Sequence, residues 1–405
     1  MTGFFAGRVR RVFVAGAVLV VLAFLGSYAS GWTAMGTHAT GERLARISRS
    51  PQWLGDQFTN SLPSLDPEFW PAMTAWFTQS SPHATPVSPP PTKMSTAADF
   101  DMPPASGLRI TWLGHSTLIV EIDGYRILID PVWGDRASPF TWMGPERFHP
   151  PPLPWDQLPA IDAVLISHDH YDHLDYPTIR RLIDADVPLL VPLGVGAHLA
   201  HWGIPASRII EHDWWDEYRL GDLRLVTTPA RHFSGRSMMM ADRNATLWAG
   251  WALIGPDHCV YYSGDTAMFP GFREIGRRLG PFDVTMIESG AYNQLWRDVH
   301  LGREQAVQAH VMVGGHVMLP VHWGTFDLAL HGWTEPMERV LVAAQKYGVT
   351  VATPIAGQSI EPARVLPTKR WWPPVPWETV DEAPVVSSHL DSSDLPLPQV
   401  PYPDR

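Results

Sequence analysis

The sequence predicts a single α/β domain between residues 107 and 357, with two packed β-sheets and helices on their outer faces. Two observations predict this fold class. Short apolar segments separated by turn residues come first in this region. After them, predicted strands alternate with segments of helical spacing. Hairpins followed by alternating strands and helices suit two sheets that pack together and are covered on the outside.

The first predicted strands lie at residues 109–112, 117–122 and 125–129. Asp123-Gly124, between the last two, predicts a two-residue hairpin turn, because this residue pair favours the backbone conformation of such turns. Residues 161–166 are mostly apolar and predict a buried strand. These segments would form the early part of one sheet.

Later elements continue the alternation. Further strands are predicted at residues 189–192, 223–228, 246–253, 260–263, 284–288 and 317–322. Helices are predicted at residues 176–184, 271–279, 303–312 and 334–347. Pro177 falls in the first turn of the first of these helices, where proline is tolerated.

Charge and cysteine content exclude several classes of protein. The formal net charge is -11 and charged residues make up 18% of the chain, which argues against a nucleic-acid partner bound through its phosphates. Cys259 is the only cysteine, so neither an intramolecular disulfide nor a cysteine-based zinc site can form.

The first 30 residues predict a signal peptide or an N-terminal membrane anchor. Arg8, Arg10 and Arg11 precede an uncharged apolar stretch over residues 12–26, and small residues follow it. Cleavage and retention both fit this pattern. Basic residues before the apolar stretch predict a body outside the cytoplasm, in the periplasm or cell envelope, with a membrane as partner.

Proline-rich segments flank the predicted domain on both sides. Residues 31–106 predict a linker or extended arm with a short helix at residues 41–47. Residues 359–405 predict a proline-rich strap, including Trp371 and Trp372, and a disordered tail from about residue 385. The catalytic domain would therefore span residues 107–358.

Four metal-ligand residues lie within six positions directly after the strand predicted at residues 161–166: His168, His170, Asp172 and His173. Imidazole nitrogens and carboxylate oxygens suit Zn²⁺ and similar divalent ions. His168 and His170 alternate along an extended segment and can point into one pocket. Asp172 and His173 follow a turn and are placed to serve a second ion.

Three more candidate ligands follow predicted strands further along the chain: His232, Asp265 and His322. Each has an ordinary alternative as a loop histidine, a turn-capping aspartate or a core histidine. Their common position at strand ends favours a shared metal site with the first cluster.

The order HxHxDH, His, Asp, His resembles the metallo-β-lactamase superfamily, whose fold is a four-layer αβ/βα sandwich with metals at the strand ends. Longer stretches resemble one branch, the N-acylphosphatidylethanolamine-hydrolysing phospholipases D. The stretches are Trp112-Leu-Gly-His-Ser-Thr117, Asp130-Pro-Val-Trp133, Arg136-Ala-Ser-Pro139, Gly144-Pro-Glu-Arg-Phe148, Asp213-Trp-Trp215, Gly280-Pro-Phe-Asp283, Gly290-Ala-Tyr292 and His322-Trp-Gly-Thr-Phe326.

This resemblance implies two zinc ions, with other divalent metals as alternatives. One would be held by His168, His170 and His232, the other by Asp172, His173 and His322, with Asp265 between them. His115, Asp130 and His300 match positions near the reacting centre of the family. Asp130 is a candidate partner that orients a ligand histidine, or else a turn cap before Pro131.

The roles of the remaining residues follow from the same resemblance. His300 is a candidate general acid or phosphate contact, or else a surface histidine, and His115, Asp130 and Asp172 complete the candidate catalytic set. Arg231 and Arg236 flank His232 and could hold a phosphate oxygen, or else be solvated at a sheet edge. Trp214 and Trp215 fit either a membrane interface or ordinary packing.

The resemblance implies a phospholipase D-type phosphodiester hydrolase that acts on N-acylphosphatidylethanolamine-like glycerophospholipids through hydroxide between two zinc ions. A lactonase of the same fold, acting on a cyclic ester, is the main alternative. A catalytically silent metal-binding envelope protein is another. A wide apolar groove beside the metals would favour the lipid, and a small polar pocket the lactone. The sequence does not decide whether the chain forms a homodimer.

Overall fold

The computed structural model describes residues 31–65 and 69–395, together with six isolated positions before them, Val14, Gly16, Val18, Leu22, Gly26 and Ala29. The predicted signal peptide or anchor lies mostly outside the described residues, as does the tail from residue 396. None of the described helices combines the length and the hydrophobicity that crossing a bilayer requires.

The strands are numbered in chain order. They are β1 (Trp53–Leu54), β2 (Gln57–Phe58), β3 (Leu108–Trp112), β4 (Leu118–Ile122), β5 (Tyr125–Ile129), β6 (Ala163–Leu165), β7 (Leu189–Pro192), β8 (Ile209–His212), β9 (Glu217–Leu220), β10 (Leu223–Thr228), β11 (Gly250–Ile254), β12 (Cys259–Tyr262), β13 (Phe282–Glu288), β14 (Gly315–Val321), β15 (Thr350–Val351) and β16 (Ser359–Ile360).

The α-helices of the described residues are numbered in the same way. They are α1 (Gly41–Ile47), α2 (Phe69–Thr78), α3 (Tyr176–Arg181), α4 (Val195–His201), α5 (Gly271–Leu279), α6 (Arg303–Val313) and α7 (Glu335–Tyr347).

Two seven-stranded sheets form the centre of the molecule, in the orders β16-β3-β4-β5-β6-β7-β8 and β15-β14-β13-β12-β11-β10-β9. Each sheet combines antiparallel strands on one side with parallel strands on the other. Helices α3 and α4 cover the outer face of the first sheet, and α6 packs on β13 and β14 of the second. The fold is therefore a four-layer αβ/βα sandwich, as predicted.

The alternation of side chains along β4 shows why the strands need two apolar faces. Leu118 and Val120 enter the core between the two sheets, whereas Ile119 enters a second core under helices α3 and α4. Successive side chains of a strand point to opposite faces, so a strand buried on both sides is apolar throughout. At the turn after β4, Asp123 and Gly124 both have positive φ, at 49° and 89°, which confirms the predicted hairpin.

Most predicted elements are present with boundaries shifted by a few residues. The strand predicted at residues 246–253 begins later, as β11 at Gly250, because the residues before it belong to the loop near the site. Several elements were not predicted: α2, α4 and the short strands β1, β2, β8, β9, β15 and β16. Helix α4 is short and almost wholly buried, so its sequence lacks a polar face, and β8 and β9 are four-residue strands near a sheet edge that carry charged residues.

Both flanking segments contact the domain where they are described. Trp371 stacks on Trp323 with ring centroids 5.2 Å apart, and Trp372 is buried beside them. On the N-terminal side, the backbone N–H of Phe58 donates to the carbonyl of Asn244. The segments before β3 and after β16 thus lie against the loops that follow the strands.

Candidate metal centre

All seven predicted ligand residues lie just beyond the carboxyl ends of strands, where the two sheets meet at one edge. His168, His170, Asp172 and His173 follow β6, and the other three follow β10, β12 and β14: His232, Asp265 and His322. Parallel strands end on the same side of a sheet, which explains how residues distant in sequence converge.

Four of these side chains form one group of donors. His168, His170, His232 and Asp265 each offer a ligand atom, and these atoms all lie within 4.8 Å of one another. His168 Nε2 is 2.9 Å from His170 Nδ1, and His232 Nε2 is 3.3 Å from the same nitrogen. Nitrogens packed this closely around one point match the donor set of a single metal ion.

A second group lies next to the first. It contains His115, Asp172, His173 and His322, again with ligand atoms within 4.8 Å of one another. Asp265 Oδ2 lies 2.9 Å from His322 Nε2 and 3.2 Å from His173 Nε2. The same oxygen lies 3.8 Å from His168 Nε2, so Asp265 stands between the two groups.

Several buried polar atoms at the centre have no hydrogen-bond partner among the described residues. They include Asp265 Oδ1 and the Nε2 atoms of His173 and His322, whose short contacts to Asp265 Oδ2 are not aligned as hydrogen bonds. A buried polar atom without a partner costs free energy comparable to a lost hydrogen bond, roughly 1–3 kcal/mol. Three such atoms within one buried cluster of ligand residues fit a bound cation, and the residues present therefore suit a metal centre.

Two of the ligand histidines, His173 and His232, have their other ring nitrogen engaged, which fixes the orientation of these rings. His173 Nδ1 is 2.7 Å from Asp130 Oδ2, and His232 Nδ1 is 2.7 Å from the carbonyl oxygen of Val299. In each case Nδ1–H donates, so Nε2 keeps its lone pair and points to the centre. Ligand histidines in metal sites are held in this way.

Asp130 connects the first and second sheets beneath the centre. Its carboxylate accepts from His173 Nδ1, from the backbone N–H and hydroxyl of Ser167, and from the Tyr262 hydroxyl. Asp130 is fully buried and has a φ of 39°. The contact to His173 places Asp130 where the sequence predicts a partner that orients a ligand histidine.

His115 lies against the second group. Its Nε2 is 2.8 Å from Asp172 Oδ2, and its ring centroid is 4.1 Å from that of His322. Like Asp130, His115 and His322 have positive φ, at 50° and 64°. Non-glycine residues held in this conformation are concentrated at functional sites, because the surrounding structure must offset the strain.

The pKa values show a centre that attracts positive charge. Burial lowers the pKa of His168 and His232 well below the usual value, which keeps both rings neutral and able to bind a cation. Burial also acts on His322, but Asp265 and Asp172 outweigh it and raise its pKa to about 10. The two buried carboxylates therefore draw a cation, either a proton on an imidazole or a metal ion.

Comparisons with known proteins agree with this geometry. Residues 125–323 match the family model described as the beta-lactamase superfamily domain. The chain is 52% identical over 272 residues to an uncharacterized protein of Mycobacterium tuberculosis, covering 66% of this chain and 72% of that protein. It is 36% identical over 258 residues to N-acyl-phosphatidylethanolamine-hydrolyzing phospholipase D 1 of Caenorhabditis elegans, covering 60% of this chain and 71% of that enzyme.

The chain belongs to the metallo-β-lactamase superfamily. Within it, the relatives place the chain in the branch of the N-acylphosphatidylethanolamine-hydrolysing phospholipases D. Among solved structures, an isothiocyanate hydrolase from Delia radicum gut bacteria has the same fold, with a TM-score of 0.51, 20% identity, and coverage of 62% of this chain and 98% of that one.

A carboxylate that the sequence analysis missed also belongs to this superfamily site. Glu288 ends β13 and is fully buried, with its two oxygens 3.3 and 3.2 Å from His300 Nδ1. The Glu288 side chain also accepts the backbone N–H groups of Thr266 and Leu301. Its position at the end of a predicted strand is the same signal that pointed to Asp265 and His322.

Two predicted phosphate contacts are wrong. The Arg231 guanidinium donates to the carbonyls of Met268 and Ser388, and Arg236 donates to those of Ala34 and Leu174. Both side chains are buried, and the described partners, backbone carbonyls and for Arg231 also Asp298, occupy their donors. Arginines beside a ligand in sequence thus fix loops here, since a guanidinium carries five donors that need partners.

Trp214, one of the two tryptophans considered for a membrane interface, is also buried, and its indole N–H donates to the carbonyl of Trp248. Ordinary packing is therefore the correct interpretation for this side chain.

Proposed function

We propose that this metallo-hydrolase is a phospholipase D-type phosphodiesterase with two zinc ions, acting on N-acylphosphatidylethanolamine-like glycerophospholipids. The observation that carries the proposal is the pair of adjacent donor groups: Asp265 belongs to the first, and its Oδ2 lies 2.9 Å from His322 Nε2 and 3.2 Å from His173 Nε2 of the second. His168, His170 and His232 would hold one ion, and His173 and His322 the other, with Asp172. When bound, two such ions make a water molecule nucleophilic near neutral pH and withdraw charge from phosphoryl oxygens.

The net reaction adds water to the phosphodiester. The oxygen of water forms a bond to phosphorus, the bond from phosphorus to the head-group oxygen breaks, and a proton completes the released alcohol. The products are phosphatidic acid and an N-acylethanolamine. The task of this chain's own residues is to hold the phosphate in line and to supply the proton.

His300 is the residue best placed to supply that proton. Its ring centroid lies 5.2 Å from that of His322 and 5.0 Å from that of His232, so it borders both donor groups. Because Glu288 accepts from Nδ1, the other ring nitrogen of His300 is the one available to exchange a proton with the leaving group. Glu288 thereby acts as a positioning residue for His300.

A groove that shares one lining residue with the cavity beside His322 supports a lipid over a small lactone. The groove has a volume of about 550 Å³, and its lining combines apolar Trp76, Val87 and Phe148 with charged Glu146, Arg147 and Asp327. A smaller cavity of about 20 Å³ beside His322 shares Asp327 with the groove. An acyl chain can occupy such a groove, since ligand sites are concave and mostly apolar with a few polar groups.

The experiment that tests this proposal compares three substrates. The full chain, loaded with zinc, is offered N-acylphosphatidylethanolamine and phosphatidylcholine in mixed micelles, and a simple lactone in solution. We expect metal-dependent release of N-acylethanolamine and phosphatidic acid. In ¹⁸O-water the label should enter phosphatidic acid, because the proposed attack occurs at phosphorus.

Two variants control this experiment. Asp265→Asn removes the shared carboxylate and should abolish turnover, whereas Asp257→Asn changes an exposed aspartate in the turn before β12 and should leave turnover intact. Lactone opening without lipid cleavage would instead assign the protein to the lactonases. A fully zinc-loaded chain that cleaves none of the three substrates would refute the proposal.

We also propose that the enzyme works at a membrane outside the cytoplasm, on the basis of its N-terminal sequence. The support is the basic and apolar pattern of residues 8–29. Fractionation of cells that express the full chain tests this location: the protein should sediment with membranes, and recovery in the cytoplasmic fraction would contradict it.

A further inference from the structure

The loop that carries His232 has little regular structure to hold it. Residues 229–249 connect β10 to β11 and include one 3₁₀ turn, Met238–Met240. Loops of this kind need ties to the surrounding structure if they are to keep a ligand in place. The contact between His232 Nδ1 and the Val299 carbonyl fixes the imidazole ring but not the backbone.

Asn60, in the N-terminal arm, ties the backbone of His232 itself. Its side-chain amide accepts the backbone N–H of His232 at 3.0 Å and donates to the carbonyl of the same residue at 2.8 Å. The Trp248 indole N–H donates to the same amide oxygen at 3.0 Å. Asparagine suits this role because its planar side chain carries both a donor and an acceptor.

A buried ion pair beside His232 ties both flanking segments to the same place. Arg231 Nη2 lies 3.2 Å from Asp298 Oδ1, and both side chains are inaccessible to solvent. Asp298 also accepts the backbone N–H of Leu65 at 2.9 Å and that of Ser388 at 2.8 Å. The pair therefore joins the N-terminal arm and the C-terminal segment to the loops of His232 and His300.

We propose that Asn60 is a positioning residue of the metal centre, which fixes the backbone of His232 so that its imidazole meets the ion held with His168 and His170. Asn60 lies outside residues 125–323, the part of the chain that matches the superfamily domain. The N-terminal arm would thus complete the site rather than merely connect it. The inference rests on the proposed function in one respect, that an ion binds at His232.

The test measures metal release from three forms of the full chain: wild type, Asn60→Ala and Asn60→Asp. Each is loaded with zinc and mixed with an excess of a chromophoric chelator, so that the release of each ion is followed by absorbance. We expect one of two ions to leave about tenfold faster in Asn60→Ala, since partners of ligand histidines change affinity by 10–100-fold. Asn60→Asp keeps the acceptor but loses the donor, and should lie between the other two.

The matched control is Thr59→Val in the same arm. The Thr59 hydroxyl donates to the carbonyl of Gln52, within the arm, at 3.2 Å. This variant should release both ions at wild-type rates. Thermal unfolding of the metal-free proteins shows whether Asn60→Ala also disturbs the fold, and we expect its midpoint to stay close to that of Thr59→Val.

Three results would overturn the inference. In the first, Asn60→Ala releases both ions at the wild-type rates. In the second, it releases both ions faster by the same factor. In the third, Thr59→Val accelerates release as much as Asn60→Ala does. If the wild type itself binds no metal, the proposed function fails instead, so the two failures are distinguishable. Ser388→Ala, which loosens the C-terminal tie to Asp298, should accelerate the same ion by a smaller factor.

Discussion

The two sides of the metal centre are held in different ways. His173 is oriented from within the domain, by Asp130 at the end of β5 and through it by Ser167 and Tyr262. His232 is held from two directions: its ring donates to the Val299 carbonyl within the domain, and its backbone bonds to Asn60 in the N-terminal arm. One side of the site thus depends on the sandwich alone, and the other also on a segment that the shared domain does not include.

This difference separates a part of the site that the core encloses from a part that a flanking segment also contacts. Asp130 is fully buried between the sheets, whereas Asn60 lies outside residues 125–323, which match the superfamily domain. The part contacted by the flank contains His232, whose ring borders that of His300, the proposed proton donor.

The largest expected effect is at His300, on the side held by the flanks. His300→Gln should lower kcat for N-acylphosphatidylethanolamine by about 100-fold or more, because general acid catalysis contributes 10²–10⁴-fold. Metal content should not change. For a diester with a p-nitrophenol leaving group, the variant should lose far less kcat, because p-nitrophenolate departs without needing a proton. An equal loss on both substrates would show that His300 is not the proton donor.

The next largest effect is expected at Asp130, which orients His173 from within the domain. Asp130→Asn weakens the contact to His173 and should reduce metal affinity and kcat/KM by 10–100-fold. Competition with a chelator measures the first and a steady-state assay the second. Asp135→Asn, an exposed neighbour, is the control. Wild-type affinity in Asp130→Asn would mean that His173 needs no partner.

A smaller effect is expected at Tyr262, which donates to the same carboxylate. Tyr262→Phe removes one hydrogen bond of four to Asp130 and leaves the ring, so metal affinity should fall roughly fivefold, equivalent to about 1 kcal/mol. The same competition assay compares it with Asp130→Asn. A loss as large as that of Asp130→Asn would show that the hydroxyl, rather than the carboxylate, is decisive.

His310, on α6 away from the metal centre, should affect the stability of the fold and leave the metal site unchanged. Burial, with His316 adding to it, lowers the pKa of His310 to about 3. The unfolded chain, with an ordinary histidine pKa near 6.5, then binds the proton first, so stability falls as the pH drops below about 6.5. This histidine alone should remove roughly 2 kcal/mol by pH 5.

His310→Asn keeps a partner for the Thr285 hydroxyl and abolishes the titration. Chemical unfolding of wild type and variant at pH 7.5 and pH 5 should show a shallower pH dependence in the variant, with unchanged metal affinity. Parallel pH dependence in the two proteins would contradict the account of a buried neutral histidine.

The sequence was informative wherever local pattern and strand position carried the signal. The HxHxDH run and the positions of Asp265 and His322 after apolar strands identified residues that the fold brings together. Residues that act through distant contacts gave no such signal. Asn60 lies 172 positions from His232, and nothing near Asn60 distinguishes it from other polar residues of the arm.

The same reasoning explains the two arginines. Arg231 and Arg236 carry a charge that suits phosphate, and only the fold shows that backbone carbonyls occupy their donors. Glu288 could have been found from the sequence. It is the last residue of a predicted strand, and the same kind of position identified Asp265 and His322. Burial and partners, which determine the role of a charged residue, are properties of the folded chain.

The measurement that tests the account most directly is the metal content of the purified full chain and of Asp265→Asn. Elemental analysis after zinc loading and removal of excess should give two ions per wild-type chain, because Asp265 belongs to one donor group and lies within 3.2 Å of His173 and His322 in the other. Asp265→Asn should retain one ion or none. A wild-type chain that holds a single ion, or a variant that still holds two, would contradict a centre built around Asp265.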